Sequence, residues 1–448
     1  MKKIAKFTLA ACLLASASLV SCNKKLDIEP ADQISAANAL NTSGDIEAAL
    51  IGAYTAMGSS SLYGGQIQFL SELVADNGEI QFVGTYAQPK EFFSKSILSQ
   101  NSFVAGTWTE AYRTINSANN VLANISKVTS TKQDRVEGEA RFIRAAMYFE
   151  LVKLHGKSYN DTNGSPQANL AVPLVLTPTS VITDASSVSR NTVAEVYAQI
   201  LTDLTIAEAK IPAANAPFYA ATNFAAAAML SRVYLQQGNY VAAAAAANRV
   251  IASGNYALKS SAASEFNDPG NTSEDVFDAQ VTSQSGVNDM HTYFSEQSRG
   301  DVEVQAAHLS LYEAGDARRG LFDATGVYTL KFQLQYGNVK LIRLAELYLT
   351  RAEANFRTGA ITALGSRPVD DVNVIRARAG LKPLLVVSLG QILNERHLEL
   401  AFEGSALADA KRTKLSIGTI PYNANQLVYP IPRRELDVNA NLVQNAGY

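Results

Sequence analysis

Long stretches in which apolar residues recur every three or four positions alternate along this chain with polar stretches that keep no period. In WTEAYRTINSANNVLANI the positions Trp108, Tyr112, Ile115, Leu122 and Ile125 share one stripe. VEGEARFIRAAMYFELVKLHG does the same with Val136, Ala140, Ile143, Met147, Leu151 and Leu154. Such spacing turns one face of an α-helix toward a core. Ser130 and Gln133 suit a capping box ahead of the second helix, and Gly156 suits its C-terminal cap. Further helices are predicted over 191–209, 220–237, 239–253, 340–358 and 388–404. Regular two-residue alternation is scarce, so the fold class is mainly α. The connections 156–190, 257–305 and 411–432 are long, and long loops in a compact protein tend to carry function.

One helix pair fits a repeat. In MLSRVYLQQGNYVAAAAAANRVI, Leu230, Ser231 and Tyr234 precede Gly238-Asn239-Tyr240, and Ala243 and Ala247 follow. The pattern resembles a tetratricopeptide unit, in which small residues let two antiparallel helices approach closely. Neighbouring pairs are more degenerate, which supports a helical repeat core rather than a repeat count.

The N-terminus speaks to location. MKKIAKF places three lysines ahead of the apolar run TLAACLLASASLV, which is too short to span a bilayer. The run ends LVSC, and Leu19-Val20-Ser21-Cys22 resembles a bacterial lipobox whose cysteine becomes the lipidated N-terminus. Residues 1–21 then read as a signal peptide, 22–35 as a polar tether, and 36–448 as the body. With Cys12 removed and Cys22 acylated, no thiol remains for a disulfide, a metal or a nucleophile. A 448-residue chain that is 47% hydrophobic can bury a substantial core instead. Losing the three leader lysines takes the net charge from −3 to −6, and no basic stripe appears, which argues against nucleic acid as a partner.

The order of segments carries a stronger signal. After the lipobox come LDIEP, the two helices quoted above, AVPLVLTP, TVAEVYAQILTDLTIAEAKIP, the repeat-like pair, LYEAGDARRG, LIRLAELYLTRAEA, VNVIRARAGL, NERHLELAFEG and YPIPRRELDVNANLVQNAGY. Taken together, from Cys22 to Tyr448, they resemble the SusD-like (RagB/SusD) lipoproteins of Bacteroidetes. The resemblance implies a helical SusD-like fold with four tetratricopeptide-like pairs overlaid by ligand-binding loops. It divides the body into an N-terminal part, about 36–215, and a C-terminal part, about 216–448. It further implies a non-catalytic, lipid-anchored protein of the outer membrane that faces the cell exterior. Such a protein captures oligosaccharide and delivers it to a SusC-like TonB-dependent transporter. A peptide-capturing lid is the alternative, and a lipid-anchored glycosidase stands behind both. Two departures stand out. SALADAKR after FEG keeps Asp409, Lys411 and Arg412 but lacks the usual arginine and aromatic. Asn23-Lys24-Lys25 stand where acidic residues often mark surface export.

Glu395, Glu399 and Glu403 recur every four positions, so a helix would stack them on one face. Two carboxylates at glycosidase spacing are conceivable there. The same segment nevertheless resembles one shared by family members with unrelated ligands, which favours carboxylates paired with arginines as scaffold. No G-x-S-x-G, H-E-x-x-H or phosphate-loop pattern occurs, and His155, His291, His308 and His397 are scattered without ligand spacing, so no catalytic residue, metal or cofactor is expected. Nothing specifies calcium. Trp108 lies on an apolar stripe, and core packing is its expected role. Sugar recognition needs flat apolar faces beside hydrogen-bonding groups. Asp76, Asn77, Gln81, Phe82 and Tyr86 offer that mixture, and Tyr293 and Phe294 resemble a binding aromatic of the family by position. The two segments are expected to converge on one exposed surface.

Membrane attachment through Cys22 alone makes a first prediction. Cys22→Ala is expected to release the body as soluble, folded protein on fractionation. Retention in the membrane without a partner would refute the single anchor.

Overall fold

A computed structural model describes residues 40–448 apart from 182, 184–185, 216–217, 285 and 360–364. The expected leader, Cys22 and the tether lie outside the described residues. Helix α1 (Ser43–Met57) opens with a capping box in which the Thr42 hydroxyl accepts from the Asp45 N–H and the Asp45 carboxylate accepts from the Thr42 N–H. There follow α2 (Gln66–Ala75), β1 (Ile80–Phe82), α3 (Ala87–Phe93), α4 (Ser102–Ala123), α5 (Ser130–His155), α6 (Val193–Lys210), α7 (Asn223–Gln237) and α8 (Tyr240–Ala252). The next elements are short: β2 (Asp275–Ala279), α9 (Asp289–Phe294), β3 (Val302–Val304), α10 (Ala306–Leu309) and β4 (Val339–Arg343). The chain closes with α11 (Leu344–Thr358), α12 (Pro368–Arg378), α13 (Leu389–Glu399), α14 (Ala406–Thr413) and α15 (Arg433–Val438).

The long helices pack in succession, α4 on α5, α5 on α6, α6 on α7 and α7 on α8, and α8 meets α11, which carries α12 and α13. The repeat-like pair is α7 and α8. Gly238 turns the chain in the left-handed region, and Ser231, Ala243 and Ala247 are buried where the helices meet. Trp108 is buried with its ring 5.0 Å from both Tyr112 and His155. Among the described residues, two sheets of two strands each, β1 with β3 and β2 with β4, fasten loop segments to this helical body.

Three local expectations are corrected. Ser130 does not cap α5: the N-cap is Thr129, without a side-chain bond, and Gln133 donates instead to the Val128 carbonyl at 2.9 Å. Residues 339–343 form β4 rather than the first turn of a helix, because pairing with β2 satisfies their backbone there. The helix expected to reach 404 stops at Glu399. Phe402 then turns through φ +66°, and Gly404 through +85° so close to α2 that a Cβ would sit 2.7 Å from the Gln68 Cα. Glu403 therefore leaves the face that Glu395 and Glu399 share.

All three glutamates nonetheless converge on buried cations. Arg318 lies 2.6 Å from Glu395, with Arg376 at 3.5 Å. Arg343 grips Glu403 through two bonds of 2.8 and 2.9 Å, meets Glu274 at 2.6 Å and Glu399 at 3.2 Å, and Lys331 meets Glu403 at 2.7 Å. Arg378 bridges Glu399 and Glu274. Burial pushes the Glu399 carboxyl up, but Arg378, Arg343 and Arg318 outweigh it and hold it down at about 2. Asp409 is held at about 2 in the same way, against burial, by Arg396 and Arg412.

Removing one buried partner strands the charges left behind. Arg343→Ala is expected to cost about 3–5 kcal/mol, read from the shift in urea midpoint. Acid acts on the same lattice. Glu399 and Asp409 have folded pKa values below their ordinary 4.5 and 3.8, so their contribution is full above those values and lost as pH falls toward 2. Urea midpoints are therefore expected to decline between pH 4.5 and 2. A flat profile across that window would show that the two carboxylates are not held ionised.

Candidate functional site

Asp76 begins the site by shaping a turn. Its Oδ1 accepts from the N–H groups of Gly78, Glu79 and Ile80 at 2.9–3.0 Å, which aims the following residues into β1. The next residue, Asn77, accepts from the Gly418 N–H at 2.8 Å. β1 runs antiparallel to β3, with Ile80 opposite Val304, Gln81 opposite Glu303 and Phe82 opposite Val302. The Val83 N–H extends the ladder by donating to the Asp301 carbonyl at 2.8 Å. Next to this sheet, α9 packs on α2. The two sequence segments thus meet.

Their aromatic rings face inward. Side chains alternate across a strand, so Gln81 points outward while Ile80 and Phe82 are buried. On α9 the same inward turn stacks Tyr293 on Phe69, with ring centroids 3.8 Å apart and planes 4° from parallel. Phe294 lies against Phe332 and Phe402, each at 5.7 Å. The expectation that Phe82, Tyr293 and Phe294 offer their faces to ligand is corrected: relative exposures of 5%, 5% and 0% make them core. A short strand and a short helix form where the sequence shows only an irregular loop, and each buries one side.

What remains on the surface is a smaller set. Tyr86 is 47% exposed at the start of α3, and the Arg299 guanidinium lies over its ring at 3.9 Å. Asp301, buried beneath, accepts from Arg299 Nε at 2.7 Å and fixes its plane. Gly84 lets the chain cross here, since a Cβ would meet the Asp301 carboxylate and the Phe82 ring at 2.6 Å. Val83 is 48% exposed beside Tyr86. Beyond β3, the Val304 N–H donates to the Val327 carbonyl, which brings half-buried Tyr328 against the Gly300 turn. Tyr86, Arg299, Gln81, Glu303 and Tyr328 therefore border an open surface with flat faces and charged or amide groups. Arg299 is the residue that sequence reasoning missed. Its signal was the serine- and glycine-flanked SRGD segment immediately before β3.

Two further features were invisible in the sequence. A cleft of about 600 Å³ runs between α1 and the segment 277–282, lined by Ile51, Tyr54, Tyr219 and Phe218, whose ring is 73% exposed. The scattered histidines are also gathered in part. His308 Nδ1 and His397 Nε2 lie 2.6 and 2.7 Å from the same oxygen of Glu79. Burial raises the neighbouring Glu72 carboxyl to about 7, against the bond it accepts from Gly404. Glu395 and Glu399 are 4% and 2% exposed and engaged by arginines.

Among the described residues no helix is long and apolar enough to cross a membrane. Comparison with known proteins places the chain. A SusD-like family model described as "Starch-binding associating with outer membrane" matches residues 26–235, and the SusD family model (SusD_RagB) matches 319–425. SusD-like protein P2 of Formosa agariphila is 27% identical, with all of both chains covered. The starch-binding protein SusD of Bacteroides thetaiotaomicron is 33% identical over 126 residues, covering 25% of this chain and 22% of that one. A solved SusD superfamily structure from Bacteroides thetaiotaomicron superposes with a TM-score of 0.79 at 26% identity, over 90% of this chain and 99% of its own. Segment order, helical architecture and these matches agree, and the chain belongs to the SusD/RagB family.

Proposed function

We propose that this protein is a non-catalytic carbohydrate-binding accessory protein of the outer membrane. In this reading it is lipid-anchored through Cys22, faces the exterior, and passes oligosaccharide to a SusC-like TonB-dependent transporter. Family membership supports carbohydrate binding at the outer membrane. The observation that carries the site is the exposed Tyr86 ring under the Arg299 guanidinium, set beside Gln81 and Glu303 on the β1–β3 sheet. A pyranose ring presents C–H groups on its faces and hydroxyls on its rim. A fixed ring and guanidinium plane match the first, and amide, carboxylate and guanidinium edges match the second. Arg299 is already oriented by Asp301, so little rotamer freedom is lost on binding.

The test is a titration of soluble starch and of an oligosaccharide panel by affinity electrophoresis, followed by calorimetry on the tightest binder. Tyr86→Ala and Arg299→Ala are each expected to weaken binding by roughly 1–3 kcal/mol, about fivefold to 150-fold, with little change in melting temperature. Phe294→Ala is expected to lose about 3–5 kcal/mol of stability instead, because it empties the core. Full affinity in both surface variants, together with loss in Phe218→Ala, would move the site to the cleft along α1.

A further inference from the structure

We propose that Glu79, His308 and His397 form a binding site for a divalent transition-metal ion of the zinc class. The three ligand atoms come from segments far apart in sequence, the turn before β1, α10 and the end of α13, and all lie within 4.8 Å of one another. Two imidazole nitrogens and one carboxylate oxygen make a donor set that suits zinc and its neighbours, with a fourth position left for water.

In one tautomer of His308 the hydrogen bonds around it leave a place that a cation would fill. Its Nε2 lies 3.2 Å from the Tyr312 hydroxyl, which in turn reaches the Leu398 carbonyl at 3.5 Å. When Tyr312 donates to that carbonyl, its oxygen accepts from Nε2–H. His308 Nδ1 then presents a lone pair to the Glu79 oxygen 2.6 Å away. Two lone pairs at that distance repel unless a proton or a metal ion lies between them. His397 Nε2 lies 2.7 Å from the same oxygen, and the three atoms are close enough together to share one centre. Opening each contact by about 0.7 Å, to roughly 3.4 Å, admits a tetrahedral ion at about 2.0–2.2 Å from its ligands.

The surroundings have the parts such a site requires. Tyr312 holds the far nitrogen of His308 in the manner of an outer-shell partner. The Glu79 backbone is fixed on both sides, its N–H by Asp76 and its carbonyl by the Gln305 N–H. Phe402 and Phe322 cover the His308 ring. An adjoining cavity of about 30 Å³, lined in part by Glu72, Asp76 and Asn77, has room for a bound water. His397, at 35% side-chain exposure, leaves an entry path.

The experiment uses the full protein in detergent, stripped with chelator and titrated with Zn²⁺ alone and separately with Co²⁺. One equivalent of zinc is expected after gel filtration, with micromolar or tighter affinity, a higher melting temperature and visible cobalt bands of tetrahedral intensity. His397→Gln and Glu79→Gln are expected to weaken zinc binding at least about 100-fold and to abolish the cobalt bands. Their metal-free melting temperatures serve as the folding control. Substoichiometric zinc on the wild-type protein, or unchanged affinity and spectra in both folded variants, would overturn the site and leave protons as the only bridges between Glu79 and the two histidines.

Discussion

Arg343 draws three separate segments of this molecule onto one buried charge. It ends β4, is buried almost completely, and reaches carboxylates from three other places: Glu274 before β2, Glu399 at the end of α13 and Glu403 in the turn beyond. A buried guanidinium is tolerable only if its donors are matched, and a buried carboxylate only if its oxygens are. Neither side can be satisfied until every contributing segment is in place. Arg318, Arg376, Arg378 and Lys331 extend the same demand to the 317–321 turn, α12 and the loop before β4. Buried ion pairs are weak evidence for net stability. Their effect here is to make wrong arrangements of these loops expensive.

A second lattice serves the helical body. Arg232 on α7 and Arg396 on α13 share Glu346 on α11, and Asp409 joins Arg396 to Arg412, which in turn meets Glu353. In SALADAKR, Asp409 and Arg412 are the residues that close this chain of charges. The long polar loop between α5 and α6 is tied down by hydrogen bonds instead. Asn119 donates to the Val175 carbonyl, and the Tyr148 hydroxyl accepts from the Val175 N–H.

The helical architecture was legible because apolar spacing directly reports which face of a helix is buried. Stripes such as Val136 to Leu154 and the small residues Ser231, Ala243 and Ala247 needed no partner segment to interpret. The ligand surface was legible only as a region. Whether Phe82 points in or out depends on a three-residue strand whose partner lies some 220 residues away, and the sequence around it carries no alternation long enough to reveal that pairing. Tyr293 looked like a loop aromatic because a helix of six residues has too few positions to show a period. Histidine spacing failed for the same reason. His308 and His397 are neighbours only through the fold.

The pairing of β1 with β3 also has a consequence for the order in which the protein matures. The strand bearing Gln81 is made early, and its partner and Arg299 are made much later. Made from the N-terminus, the chain presents Tyr86 long before the guanidinium that covers it. Closing so long a loop is entropically slow compared with winding a helix hairpin. Helices α4 to α8 can therefore assemble stepwise as they emerge, before β3 arrives to pair with β1 and Arg299 to cover Tyr86.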